Sequence, residues 1–137
     1  MSALYMEKKL FFEVKAFILH EGRFLAMHRS ESKSNWLELP GGRMEFGETA
    51  EETVVREVLE ETGLVIKPIR LLDTWNAVFE DYQITGIIYS CAIESGEVRL
   101  SPEHDRYEWL NADVAAVKKL HKVFSEKMAK WDWHGLL

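Results

Sequence analysis

The chain has 137 residues but only one cysteine, Cys91, and three prolines. A lone thiol excludes an internal disulfide and a cysteine metal site, and it fits a reducing cytoplasm. Long apolar runs are also missing: none approaches the roughly 20 residues that span a bilayer. The opening stretch MSALYMEKKLFFEVK lacks the ordered charge, apolar run and cleavage site of a secretory signal. No Lys/Arg block offsets a net charge of −6, which argues against gripping long nucleic acid by its phosphates. Nucleotides stay open, because bound cations bridge carboxylates to phosphates. Repeats, low-complexity tracts and linkers are absent as well. The expectation is one cytoplasmic domain over residues 1–137, with 47% hydrophobic residues to build its core.

What is present centres on residues 40–64, PGGRMEFGETAEETVVREVLEETGL. Thr49 and Glu52 form a capping box, residues 50–62 contain no Gly or Pro, and Gly63 stands where a left-handed C′ residue is usual. The spacing predicts one helix over 50–62. Val54, Val55, Val58 and Leu59 fall on one apolar stripe, and Glu57, Glu60 and Glu61 on a neighbouring arc. Arg56 lies four residues from both Glu52 and Glu60. Like charges at this spacing, placed at the negative end of the helix dipole, cost on the order of 1–2 kcal/mol without a counter-ion. A hard divalent cation reverses that sign; oxygen-only ligands suit Mg²⁺ first and Mn²⁺ second. The alternative is an ordinary solvated acidic face, against which stand the adverse dipole and the Pro40-Gly41-Gly42 turn, where backbone can approach a ligand closely.

The remaining chain alternates strands and turns. Residues 11–20 and 23–29 read as a hairpin about Glu21-Gly22, ending at Arg29, whose guanidinium suits a phosphate or a structural ion pair equally. Residues 31–35 read as a loop, Trp36 as packing, and Phe46 as a staple at the start of the helix. Residues 64–79 read as an edge strand broken by Pro68 and a second strand from Leu71. Tyr82 to Ile93 forms a long strand, and Ser95-Gly96 turns it into a short one, 97–100. Trp75, Phe79 and Tyr82 cluster near a bend and suit stacking on a base. Residues 101–106 read as a loop and 107–110 as a short strand. Asn111 caps a final helix that reaches Trp131, with a break near His121 as the variant reading. Its stripe is Val114, Val117, Leu120, Val123 or Phe124, and Met128. The apolar tail of Trp131, Trp133, Leu136 and Leu137 docks on the domain or on a second subunit. Strands, a helix, more strands and a closing helix predict an α/β fold with a mixed sheet and helices on both faces.

Gly42, Glu48 and the run Arg56-Glu57-Val58-Leu59-Glu60-Glu61-Thr62-Gly63-Leu64 resemble the Nudix box, G-x5-E-x7-R-E-U-x-E-E-x-G-U, at every fixed position. The resemblance implies an α/β/α sandwich that uses Mg²⁺ to hydrolyse a pyrophosphate bond in a nucleoside diphosphate linked to another group. It implies Glu57, Glu60 and Glu61 as metal-binding and catalytic carboxylates, the Gly41 carbonyl as a further ligand, and Arg56 with Glu48 as a supporting pair. Glu57 is the first candidate for general base and Glu103 the second. Glu108 aligns with an additional metal ligand, whereas His104 reads as a loop residue. A (deoxy)nucleoside triphosphate or an oxidised nucleotide is the favoured substrate. ADP-ribose or another nucleotide sugar is the nearest rival, with a non-catalytic nucleotide-binding module and an RNA 5′-end hydrolase further off. The implied partners are a small nucleotide, no long nucleic acid, no membrane, and a second copy of the chain in a homodimer.

Overall fold

The structure, a computed structural model, describes residues 7–136. The first six residues of the opening stretch and Leu137 of the tail lie outside that range. Strands β1 (Lys9–His20) and β2 (Arg23–Arg29) form the expected hairpin, with Glu21 (φ 51°) and Gly22 (φ 76°) both left-handed, as a tight two-residue turn requires. Along β1, Val14, Ala16 and Ile18 point to one core and Phe17 to the other, because strand side chains alternate. The sheet runs β4 (Val65–Val78), β5 (Tyr82–Ser95), β1, β2, β6 (His104–Asn111). Strand β3 (Gly41–Arg43) shares the β2 edge of β1, so β1 meets β3 at Glu13–Lys15 and β2 at Leu19–His20. The β1–β5 pair is parallel and the others antiparallel, giving a mixed sheet.

Helix α1 (Ala50–Thr62) covers one face. Its capping box is formed, and Gly63 closes it with φ 76° and an N–H donated to the Leu59 carbonyl. Val54 and Val58 are fully buried against Val14, Ile18, Leu25 and Met27, worth ~1.5–3 kcal/mol for each complete side chain. Leu59 is half-exposed, and Thr53, Glu61 and Thr62 are buried in its place: the packed face is turned about the helix axis relative to the expected stripe. Helix α2 (Lys122–Met128) and the tail cover the other face, over Phe17, Phe24, Leu37 and Leu39. This is an α/β/α sandwich. No helix among the described residues is long and apolar enough to cross a membrane.

Several expectations are corrected. Residues 65–78 are one strand; Pro68, which has no N–H to donate, sits at a register shift against β5 instead of breaking it. Residues 97–100 form no strand, although the Arg99 N–H donates to the Thr62 carbonyl at 2.7 Å. Strand β6 starts at His104, three residues earlier than expected. Asn111 caps nothing: the Asp113 carboxylate accepts the Ala116 N–H at 2.8 Å and starts a 3₁₀ turn, Ala116–Lys119. The break near His121 is real. Leu37 donates to the Lys119 carbonyl (3.0 Å) and accepts from His121 (2.9 Å), so a tertiary rung pulls Leu120 into extended backbone before His121 caps α2. Val114, Trp36 and Phe46 are exposed, so Val114 leaves its stripe, Trp36 is not packing and Phe46 staples nothing. The tail docks on its own domain. Trp131 and Trp133 sit edge-on to Phe17 at 5.4 and 5.8 Å, and the Trp131 indole donates to Asp73 at 2.8 Å. The apolar surface that favoured a dimer is therefore used within the chain.

Candidate active site

The glycine turn and the end of α1 meet at the β1–β3 pairing, where Gly41 lies opposite Lys15. Gly41 has φ +134°, and a Cβ there would sit 2.1 Å from the Val14 carbonyl oxygen. At Gly42 a Cβ would fall 2.5 Å from a Glu57 carboxylate oxygen. Two glycines are thus needed for the backbone to lie against β1 and for Glu57 to lie against the turn. Beneath the same turn, the Gly41 N–H donates to Glu61 Oε1 at 2.9 Å. Lys15 Nζ donates to the Gly41 carbonyl at 3.4 Å.

Arg56 is the organiser of the outer carboxylates. Its Nε and Nη2 donate to Glu48 at 2.6 and 2.9 Å, a bidentate pair, and Nη2 also reaches the Arg43 carbonyl at 3.1 Å. Nη1 reaches Glu57 at 3.0 Å and Glu60 at 3.4 Å. Glu52 is not its partner, being committed to the helix cap. Glu48 also accepts from the Glu45 N–H and the Thr53 hydroxyl. Arg56 above all, with the Glu45 N–H next, holds the Glu48 carboxyl down to about 2. Much of the repulsion expected along the acidic arc is therefore relieved by one guanidinium.

The cost falls instead on Glu61. This side chain is turned inward, only 5% of the residue is exposed, and burial pushes its carboxyl up to about 7 against the pull of Lys15 and the Gly41 N–H. Burial also raises Glu57, with Arg56 opposing. Glu60 stays more than half exposed. Glu57, Glu60 and Glu61 thus occupy one end of one helix without converging on a point: Arg56 holds the first two, and the third lies under the turn. Among the described residues, the group of three donors whose atoms lie within 4.8 Å of one another is Glu61, Glu103 and His104.

The structure does not bring Glu108 to this place. Glu108 pairs with Ala26, whose side chain belongs to the core under α2, and its carboxylate accepts from Lys119 at 3.3 Å. Strand alternation puts it on the face opposite α1. His104, read as a loop residue, is instead a buried strand residue, and Nδ1 has no partner. Its Nε2 lies 3.0 Å from Glu38, which also accepts from Lys15 (3.4 Å) and Arg29 (3.1 Å). These partners together hold the Glu38 carboxyl far below its ordinary range despite burial. Glu38 and Lys15 are the functional-site residues that sequence reasoning missed. A signal existed for each: a lysine inside the apolar run FFEVKAFILH, and a glutamate between two leucines just before the glycines.

Arg29 is therefore in an ion pair while its guanidinium remains half-exposed. It borders a cleft of about 270 Å³ lined by Trp36, Trp75, Phe79 and Phe124, with Lys15 and Glu38 at the end nearest the glycine turn. Trp75 is mainly core, packed on Phe124 at 5.0 Å. Phe79 stacks on Tyr82 at 4.5 Å, and Tyr82 faces an adjoining hollow with Phe11 and Arg43.

The residues present fit a hard divalent cation. Glu57 and Glu61 carry carboxyls whose ionisation burial disfavours, and a cation among oxygen donors is what removes that penalty. Comparison with known proteins bears on the family. The NUDIX domain profile matches residues 11–132. A MutT-like protein of Streptomyces ambofaciens is 35% identical over 113 residues, 81% of this chain and 69% of that one. An ADP-ribose pyrophosphatase of Methanocaldococcus jannaschii is 36% identical over 98 residues, 68% of this chain and 57% of that protein's own length. The crystal structure of a MutT protein from Methanosarcina mazei Go1 superposes with a TM-score of 0.82 at 29% identity, covering 96% of this chain and 99% of that one. Sheet order, an unbroken Nudix box on α1 and the glycine turn above its carboxylates thus coincide in one chain, which belongs to the Nudix family of pyrophosphohydrolases.

Proposed function

We propose that the chain hydrolyses a pyrophosphate bond in a nucleoside triphosphate or an oxidised nucleotide, with the diphosphate over the end of α1 and the nucleoside in the aromatic cleft. The observation that carries this reading is Glu61, buried beneath the glycine turn beside Glu57 and raised to about 7. Glu57, Glu60, Glu61 and the Gly41 carbonyl would hold Mg²⁺, or Mn²⁺ in its place, once the ion draws Glu57 and Glu60 from Arg56 toward the turn. When bound, the ion supplies charge neutralisation for the diphosphate and activation of water. Glu57 takes the water proton, and Arg56, braced on Glu48, keeps that carboxylate facing the turn. Glu103 is the second candidate for the base, since it is exposed and close to Glu61. Arg29 presents its exposed guanidinium edge to phosphate at the cleft rim. Trp36 and Phe79 offer ring faces to the base.

A cleft of about 270 Å³ is at the lower edge of the ~300–1,000 Å³ usual for ligand pockets, which supports one ring system and its sugar in preference to a dinucleotide. The adjoining hollow with Tyr82 and Arg43 supports the second reading, a sugar-linked dinucleotide such as ADP-ribose laid across both. The kind of relative that the M. jannaschii protein represents points the same way. The test is Mg²⁺-dependent release of phosphate, pyrophosphate or nucleoside monophosphate from a panel of deoxynucleoside triphosphates, 8-oxo-dGTP, ADP-ribose and a capped RNA. Turnover of a triphosphate that Glu57→Gln and Glu61→Gln both abolish supports the reading. Preference for ADP-ribose selects the second, and nucleotide binding without turnover selects a regulatory module.

A further inference from the structure

We propose that His28 is a positioning residue: it clamps the serine loop, residues 30–36, to the segment carrying Glu103, and so sets affinity for the nucleoside end of the substrate. The inference rests on the reading above that the aromatic cleft receives the nucleoside.

His28 is the penultimate residue of β2 and only 5% exposed. Both ring nitrogens are engaged. Nε2 lies 2.6 Å from the Ser34 carbonyl oxygen and Nδ1 2.8 Å from Asp105 Oδ1. A carbonyl only accepts, so Nε2 donates to Ser34, and Nδ1 faces the Asp105 carboxylate. Asp105 faces the ring because the β2–β6 register shifts here. His28 pairs with Arg106 and Arg29 with His104, which leaves Asp105 as the extra residue of a bulge, and bulges re-aim side chains.

The other bonds in the middle of this loop are local: the Ser32 N–H donates to the Arg29 carbonyl at 3.0 Å and the Ser34 N–H to Ser32 Oγ at 3.2 Å, so among the described residues His28 is the buried side chain that ties it to the sheet. Ser30, Glu31, Lys33, Ser34, Asn35 and Trp36 are all exposed, so no core side chain anchors it. Its start is tied to the same neighbour: the Ser30 N–H donates to the Glu103 carbonyl and the Ser30 hydroxyl to the Pro102 carbonyl, each at 2.8 Å. Ser34 passes the constraint on, since its hydroxyl oxygen accepts the Trp36 N–H at 3.4 Å. Ser32, Ser34 and Trp36 then form one wall of the cleft. A half-exposed bulge aspartate is thereby linked through one imidazole to the ring that faces the base.

The test uses the full chain with Asp105→Ala, Asp105→Asn and His28→Phe. Amide exchange over residues 30–36 should rise about tenfold in Asp105→Ala and His28→Phe while α1 protection is unchanged. Asp105→Asn keeps an acceptor and should restore the wild-type pattern. With the best nucleotide of the panel, KM should rise three- to tenfold in the two disrupted proteins and kcat should stay within twofold. Unchanged exchange in both overturns the clamp. Faster exchange with unaltered KM, or a fall in kcat at fixed KM, overturns its role in binding. If the wild-type chain turns over no nucleotide, the proposed activity fails separately. The clamp is then judged by exchange together with calorimetric binding of an α,β-methylene triphosphate, whose affinity should fall by the same factor.

Discussion

Replacing a residue assigned to hold the metal ion should make the metal-free protein more stable. A carboxyl raised from 4.5 to about 7 is penalised for ionising inside the fold, on the order of 3 kcal/mol once fully charged. The sign follows from proton binding. The folded chain holds this proton more tightly than the unfolded chain, so stability falls as pH rises from 4.5 through about 7, and the whole penalty is present above that. In Glu61→Gln the amide oxygen still accepts the Gly41 N–H, while the charge that burial disfavours is gone. The attraction to Lys15 is already counted in that value, and the looser fit of an amide takes part of the gain back, so the net gain at pH 8 in chelator should be ~1–3 kcal/mol. For a chain of this size that is roughly 3–10 °C in Tm. At pH 5 the difference should shrink below about 1 kcal/mol. Adding Mg²⁺ at pH 8 should raise the Tm of the wild type and leave the variant where it was. Thermal unfolding at both pH values, with chelator and with Mg²⁺, reads all of this directly. A Glu61→Gln protein that is less stable than wild type in chelator at pH 8 would refute the reasoning, because Glu61 would then be a satisfied structural carboxylate.

Three further outcomes follow from the same geometry. Gly42→Ala drives a methyl group onto the Glu57 carboxylate and should cost about a hundredfold in kcat/KM, on the scale that an ångström of misplacement commands, with far less effect on Tm. Arg56→Ala frees Glu48, held at about 2 in the wild type. That carboxylate contributes stability lost as pH falls from 4.5 through about 2, so the variant should begin acid unfolding at higher pH. Glu103→Gln should slow turnover at least tenfold and Glu108→Gln less than twofold, since one lies with Glu61 and the other bonds Lys119 on the opposite face; equal effects would misplace the site.

Helix α1 was legible almost to the residue, because its signals are local: a capping box at one end, a left-handed glycine at the other, and no breaker between. The β1–β2 hairpin was legible for the same reason. What α1 faces was less so. Periodicity places Glu57, Glu60 and Glu61 on one arc, but only the turn above the helix decides that Glu61 goes under it while Arg56 gathers the other two. Glu38 and His104 lie 66 residues apart in sequence, and no local pattern announces a contact of that span. Pro68 reads as a break because proline has no N–H for a ladder, yet the strand absorbs it at a register shift. The final helix misled because a hydrogen-bonded rung to Leu37 outweighed helical propensity at Leu120.

That rung has a mechanical consequence. Two backbone hydrogen bonds fasten the C-terminal layer to a residue only three positions before Pro40, and His121, in the rung, and Phe124, just beyond it, line the aromatic cleft. The C-terminal layer and the glycine turn are thus joined through one short stretch of backbone, Leu37 to Gly41, with Glu38 of the ion-pair cluster between them. Loosening the rung should therefore be felt on both sides at once, as faster amide exchange at Leu37 and His121 together with slower turnover.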